Sequence, residues 1–266
     1  MRHPIITLTT DWGTRDFFAG MVKGRLLRLI PEARIIDITH EIAHFDQNQA
    51  AFVVKHACMG FPEETIHLID VNAVESKDEA FVVVRSRGQY FICTDNGMPA
   101  AVFGNDFEEV VQLNVAQDGD FYTFAAYNLF CKVAKHLAEG GAMADLGYRV
   151  SELKQMTWLV PIEAPSKVSA HIAYIDSYGN ANLDLTYERF EELRAGRHFV
   201  LTVSSIGGEC VSRIVQSYDD GDGSERITQL VLTVSSTGYL QLAVCRASAE
   251  RLLGLKVNST VDIDFK

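Results

Sequence analysis

The strongest constraint on this chain is a change of pattern near residue 160. Before that point, short β-branched runs alternate with stretches at helical spacing. Pro4 to Thr9 reads as a buried strand, and the polar turn DWGTRD follows it. Phe17 to Ile30 carries apolar residues at helical spacing and stops at Pro31. Ile35–Thr39, Thr65–Val71, Ala80–Arg85 and Gln89–Cys93 read as further strands. Gln47–Met59 and Ala126–Ala138 read as helices, the second closed by Gly140-Gly141. Asp95-Asn96-Gly97 is a turn signal. Strands alternating with helices imply a mostly parallel sheet covered on both faces. The segment VPIEAPSK (Val160–Lys167) holds two prolines and reads as a linker. Beyond it come short β-rich runs: Val168–Ile175, Phe199–Val203, Cys210–Val215, Gln229–Val234 and Leu240–Val244, with a short helix at Ala247–Leu253. The expectation is an α/β N-terminal domain over residues 1–160 and a C-terminal β-barrel-like domain over residues 168–266.

The length, 266 residues, allows a sizeable core, and 47% hydrophobic with 22% charged residues is ordinary for a globular protein. A formal charge of −11 argues against nucleic acid as a partner, because that affinity comes largely from Lys and Arg neutralising phosphates. It leaves room for a cationic ligand. The five cysteines (58, 93, 131, 210, 245) form no C-x-x-C pair, so free buried thiols are expected rather than a disulfide framework or metal cage. No signal-peptide pattern precedes the first strand, and no apolar run is long enough to span a bilayer. A cytoplasmic protein without a membrane partner is the expectation.

Several motifs bear on chemistry. HEIAH (His40–His44) has the H-E-x-x-H spacing of zinc proteases, which needs both histidines on one helical face. The preceding RIIDIT is a strand pattern, so His40 falls at a strand end and the match reads as accidental; no metal is expected. DDGDGSE (Asp219–Glu225) lacks the ligand spacing of a calcium loop and reads as a solvated hairpin loop. Glycine motifs for dinucleotides or phosphates and the G-x-S-x-G elbow are missing from the sequence. What remains is a set of acids at strand ends: Asp11, Asp16, Asp37, Asp46 and Asp70. Ligands of open α/β sheets bind outside the carboxyl ends of the strands. Each acid alone could be a helix cap, Asp16 above all. Together they favour a ligand with hydroxyls and a positive charge. IDSYGN (Ile175–Asn180) adds an acid and an amide around a turn, and an Asx-turn hairpin is the plainer reading.

TTDWGTRDFFAGMVKG, DITHEIAHFD, TDNGM, IDSYGNANL and SSTGYLQLAV occur in this order along nearly the whole chain. In this the chain resembles the S-adenosyl-L-methionine (SAM) hydroxide adenosyltransferase family, relatives of the SAM-using fluorinating and chlorinating enzymes. The resemblance implies SAM hydrolysis, a homotrimer, and SAM held between the N-terminal domain of one subunit and the C-terminal domain of its neighbour. It implies no cofactor beyond SAM itself. Carried over position by position, Asp11 matches the acid on the ribose hydroxyls, and Asp16 and Asp176 match acids near the methionine ammonium. Phe45 stands where the family has an aromatic over the ribose. Asn96 lies in the matching TDNGM motif. Tyr178 and Asn180 match adenine contacts, and Ser236 a carboxylate contact, with Thr237 where the fluorinating enzyme has Arg.

The same resemblance marks departures. Hydrolytic members surround the attacking water with Asp, Arg and His. Here Asp70 keeps the first position, Lys77 stands at the second and Ala125 at the third. Lys lacks the planar fork of Arg, so it is not an equivalent replacement. Asp70 and Lys77 are the candidate catalytic residues. Three activities stay open: a SAM hydrolase, a catalytically weak SAM- or adenosine-binding protein, and a SAM-dependent transferase using another nucleophile such as halide.

Overall fold

The computed structural model describes residues 3–74, 76, 78–118, 123–203, 209–218 and 230–266. Lys77 and the DDGDGSE stretch lie outside the described residues. The chain divides into two compact units between Thr157 and Trp158.

The first unit is built on β1 (Ile5–Thr10), α1 (Phe18–Leu29), β2 (Arg34–Thr39), α2 (Gln47–Ala57), β3 (Ile66–Asp70), β4 (Phe81–Ser86), β5 (Gln89–Thr94), α3 (Met98–Phe103), β6 (Glu109–Leu113), a π-turn at Ala126–Phe130 continuing into α4 (Cys131–Ala138), and β7 (Gly147–Val150). Its sheet has the order β2-β1-β3-β5-β4-β6-β7. The β1–β2, β1–β3 and β3–β5 pairs are parallel, and the rest are antiparallel. The sheet reverses at a hairpin in which Arg87 and Gly88 both have positive φ (51° and 69°) and Ser86 pairs with Gln89. That is the two-residue geometry matching sheet twist, formed here by Arg-Gly.

Alternation sorts the side chains of the central strands. Ile6, Leu8, Ile66 and Leu68 face a cluster with Val22 and Leu26 of α1 and with Val133, Ala134 and Leu137 of α4. On the opposite face, Thr7 and Thr9 lie beside the Cys58 thiol, next to α2. There the buried His67 bridges Thr7 (2.7 Å) and Gln89 (3.0 Å), so its polar ring is satisfied inside the core. Burial on both faces is why these strands read as continuous apolar runs. β2 is different: it is a sheet edge with Arg34 and Asp37 exposed, a charged edge that discourages pairing with another chain.

The second unit contains β8 (Ile162–Ala164), β9 (Lys167–Ile175), β10 (Ala181–Thr186), α5 (Tyr187–Arg194), β11 (Phe199–Val203), β12 (Glu209–Val211), β13 (Leu230–Val234), β14 (Tyr239–Val244), α6 (Ala249–Leu253) and β15 (Thr260–Phe265). Its sheet runs β12-β11-β15-β9-β10-β14-β13, with β8 on β9, all antiparallel. A bridge between Ile214 and Leu232 brings its two ends near closure as a barrel. Leu183, Leu201, Leu232, Leu242 and Ile263 fill the interior with Phe190 of α5.

An α/β fold followed by a barrel-like β domain is thus what forms. Local readings need revision. Asp46, counted among the acids at strand ends, caps α2 by accepting from the Gln49 N–H at 2.9 Å. Asp16 does not cap α1: Phe17 holds that position without a side-chain cap. Cys58, Cys93 and Cys131 are buried, whereas Cys210 is exposed and Cys245 half-buried. Among the described residues, no helix is long and apolar enough to cross a membrane. Asp46→Ala removes the α2 cap and is expected to cost about 1 kcal/mol in urea unfolding, with the slope unchanged.

Candidate active site

Four neighbouring co-directed strands, β2, β1, β3 and β5, end at Thr39, Thr10, Asp70 and Thr94, along one edge of the first unit's sheet. The residues at or just past those ends are His40, Asp11, Asp70 and Asn96. Parallel pairing sets Thr10 opposite Asp70, and the Asp11 N–H reaches the Asp70 carbonyl at 3.4 Å. Two acids from distant parts of the chain are therefore neighbours because their strands are neighbours.

The Asp11 carboxylate organises the edge. Its Oδ2 accepts the backbone N–H of Phe45 (2.9 Å) and of Asn72 (3.4 Å). Both donors have left-handed backbones, φ 64° for Phe45 and 49° for Asn72. Asn tolerates that conformation, but for Phe it is strained, on the order of 1–3 kcal/mol. The strain holds an aromatic side chain 69% exposed beside Asp11. His44 Nδ1 lies 2.7 Å from the Asp11 carbonyl, and His40 Nδ1 lies 2.8 Å from Thr10 Oγ1. The two histidines of HEIAH thus serve separate backbone and side-chain contacts at a strand end, not one helical face.

Asp70 is buried at the end of β3. Its Oδ2 accepts the backbone N–H of Ala126, at the start of the π-turn, at 3.1 Å. Such turns recur at functional sites because they aim backbone groups away from the regular ladder. The Trp12 indole N–H is directed toward the same carboxyl group and favours its ionised form. Burial pushes the Asp70 carboxyl up to about 7; the Trp12 N–H opposes this, the nearby Asp11 charge adds to it, and the Ala126 bond opposes it. A carboxyl tuned to that range can accept a proton near neutral pH. Ala125, where the family resemblance places a His, is buried within the core cluster. Asn96 is also buried; its Oδ1 accepts the Met98 N–H (3.2 Å) at the start of α3, and its amide nitrogen lies 3.5 Å from the Val71 carbonyl. Asp16 is exposed in the bend before α1.

In the second unit the turn after β9 is closed by Asp176. Its Oδ1 accepts the N–H groups of Tyr178 and Asn180, both at 2.9 Å, and its Oδ2 the Asn180 side-chain amide at 3.0 Å. This is the Asx-turn hairpin; the carboxylate shapes the turn and presents Tyr178, 79% exposed, at its tip. Beside it lies a cavity of about 870 Å³ lined by Asp176, Tyr178, Asn180, Tyr218, Arg246 and Ser248. That volume suits a nucleoside-sized molecule. Ser236 does not join this group. It sits in the β13–β14 turn, at the opposite end of β14 from the Asp176 turn. Trp12 and Asn72 beside the acids of the first unit, and Tyr218 and Arg246 in the cavity of the second, are candidate residues that spacing alone does not reveal; only the Trp in TTDWG stands beside a legible acid.

A mostly parallel sheet with acids at its carboxyl edge, followed by a nearly closed barrel with a nucleoside-sized cavity, defines a two-domain small-molecule protein. The SAM hydroxide adenosyltransferase N-terminal domain model matches residues 6–147, and the corresponding C-terminal domain model matches residues 170–262. The chain belongs to the SAM hydroxide adenosyltransferase family. It is 24% identical to the (R)-S-adenosyl-L-methionine hydrolase of Methanocaldococcus jannaschii, covering 98% of this chain and 96% of the relative. It is 28% identical to a protein of the same name from Salinispora tropica, covering 95% and 94%. A fluorinase from Nocardia brasiliensis is 24% identical, with 98% and 97% covered. The crystal structure of an uncharacterized conserved protein from Thermotoga maritima superposes with a TM-score of 0.86 at 26% identity, covering 98% of this chain and 99% of the other.

Gly179 closes the Asp176 turn at φ +83°, and a Cβ there would lie 2.0 Å from Ser248 Oγ, the cap of α6. Gly179→Ala is expected to lose about 1–2 kcal/mol of stability by thermal or urea unfolding, through left-handed strain and the displaced cap.

Proposed function

We propose that this protein is a SAM hydrolase, in which water displaces L-methionine at C5′ of SAM to give adenosine. The observation that carries the reading is Asp70: a buried carboxyl with a raised pKa at the carboxyl edge of the sheet, next to Asp11, in a chain of this family. Relatives named (R)-S-adenosyl-L-methionine hydrolase, similar over nearly the full length, support it.

The water oxygen forms a bond to C5′ as the C5′–S bond breaks, and that bond's electron pair returns to sulfur. Methionine leaves as a neutral thioether and needs no general acid. One water proton must go elsewhere, and ionised Asp70 accepts it before releasing it to solvent. Orientation of the water and exclusion of bulk solvent supply much of the remaining rate. Lys77 is the second proposed catalytic residue, as a point charge near the reacting water. Asp11 is assigned to the ribose hydroxyls, Phe45 to the ribose face, and Asp16 and Asp176 to the methionine ammonium. Tyr178 and Asn180 are assigned to the adenine, Ser236 to the carboxylate, and Asn96 to support of the SAM pocket. The protein is proposed to act as a cytoplasmic homotrimer with sites at subunit interfaces, and to need no cofactor beyond SAM.

The test is incubation of purified protein with SAM in halide-free buffer, using both sulfonium diastereomers, with adenosine and methionine followed by liquid chromatography. Equimolar, protein-dependent products are expected. SAM binding without products would overturn the hydrolytic reading, and turnover only with added halide would replace it by adenosyl transfer to the anion. Asp70→Asn is expected to lower kcat by about 10²–10⁴-fold. Because Asp70 must be ionised to accept the proton, kcat/KM is expected to rise with pH through about 7, the value to which burial pushes it, and to fall below it.

A further inference from the structure

Trp12 follows Asp11 directly, and its ring is fixed on several sides. His40 stacks on it, with centroids 5.7 Å apart and planes 13° from parallel. Phe124 meets it edge-on at 5.2 Å and 74°. Both partners are themselves held. His40 is bonded to Thr10, and its Nε2 lies 3.2 Å from Asp37 Oδ1. Phe124 packs edge-on against Phe18 of α1, again at 5.2 Å. The Gly13 N–H bonds the His40 carbonyl at 2.7 Å, tying the turn after Trp12 to the ring beneath it. The indole is therefore held between His40 and Phe124, and its N–H is directed toward the Asp70 carboxylate.

We propose that Trp12 is a positioning residue for Asp70: its indole N–H, together with the Ala126 backbone N–H, fixes the carboxylate so that its remaining lone pairs face the water attacking C5′. The proposal rests on the hydrolytic reading and deepens it. A carboxylate offers about four acceptor sites, and two rigid donors from different directions remove its rotational freedom. The indole is a donor only, and a donor bonds the ionised carboxylate more strongly than the neutral acid. Trp12 thus opposes the effects that favour protonation, which are burial and the charge of Asp11. Cys131 of α4 is a further titratable neighbour of Asp70, and it also interacts with Arg25 of α1. Beyond the indole lie His40 and Asp37. A tryptophan that only filled space would influence none of these through its N–H.

Trp12→Phe keeps an aromatic ring against His40 and Phe124 and deletes the donor. Its kcat for SAM hydrolysis is expected to fall about tenfold with KM unchanged, as for loss of a hydrogen bond to a charged group. The acid limb of kcat/KM is expected to move to higher pH, because the ionised form has lost a donor. On an Asp70→Asn background the same change is expected to have no further effect. A readout independent of turnover is the carbon-13 carboxyl titration of Asp70 by NMR, assigned with Asp70→Asn; it is expected to shift to higher pH in Trp12→Phe. Should Trp12→Phe not fold, benzothienylalanine at position 12 keeps the tryptophan shape without the N–H and is read the same way. An unmoved titration overturns the proposal whatever the activity, as does a change confined to KM. A shifted titration in a protein that does not hydrolyse SAM would sink the hydrolytic reading and leave the Trp12–Asp70 coupling standing.

Discussion

The site depends on an acid held out of water. Asp70 ends a strand buried on both faces, so its carboxyl has little solvent to stabilise a charge. The protein compensates with two donors, one from a side chain on the neighbouring strand's turn and one from the backbone of the π-turn. Neither donor is a cation, so the carboxyl stays far above its ordinary range instead of being locked ionised. Paired with a lysine or arginine at contact distance, the same acid would be a poor base at neutral pH. Neutral donors keep orientation and basicity together.

Asp11 shows the complementary solution. It lies one residue past the adjacent strand, yet its partners are the backbone N–H groups of two left-handed residues. Local strain at Phe45 is offset by its bond to the acid, and the same conformation brings an aromatic ring to the edge of the candidate site. The two acids are chemically alike and differ in environment. That difference separates a residue suited to proton transfer from one suited to holding hydroxyls.

Much of this was legible in the sequence where an element had a clear period and a polar boundary. β1, α1, β2, α2 and β3 each have one, and the acids at their ends follow from the sheet rule. Other elements were hidden for physical reasons. α3 is only six residues, MPAAVF, too short to show a helical period, and its proline reads as a breaker although proline suits the first turn. β10 begins inside the motif IDSYGNANL, whose turn residues mask the start of the alternation of Ala181, Leu183 and Leu185. α5 carries a readable Thr186 cap and an acid in its first turn, but has little apolar face to announce it. Within the site, Asp11 and Asp70 are visible as strand ends, whereas Trp12 is not, because its partner belongs to another strand and only tertiary pairing joins them. The accidental HEIAH spacing misleads for the opposite reason: a pattern that works on a helix has no such geometry after RIIDIT.

The small side chains before the π-turn have a consequence of their own. Ala125 and Ala126 are both enclosed by the core, and the amide of the second reaches the end of β3. Their methyl groups pack in the core while the main chain of the turn lies within hydrogen-bond distance of the strand end. The closeness of two main chains thus offsets part of what burial does to the acid at the end of β3.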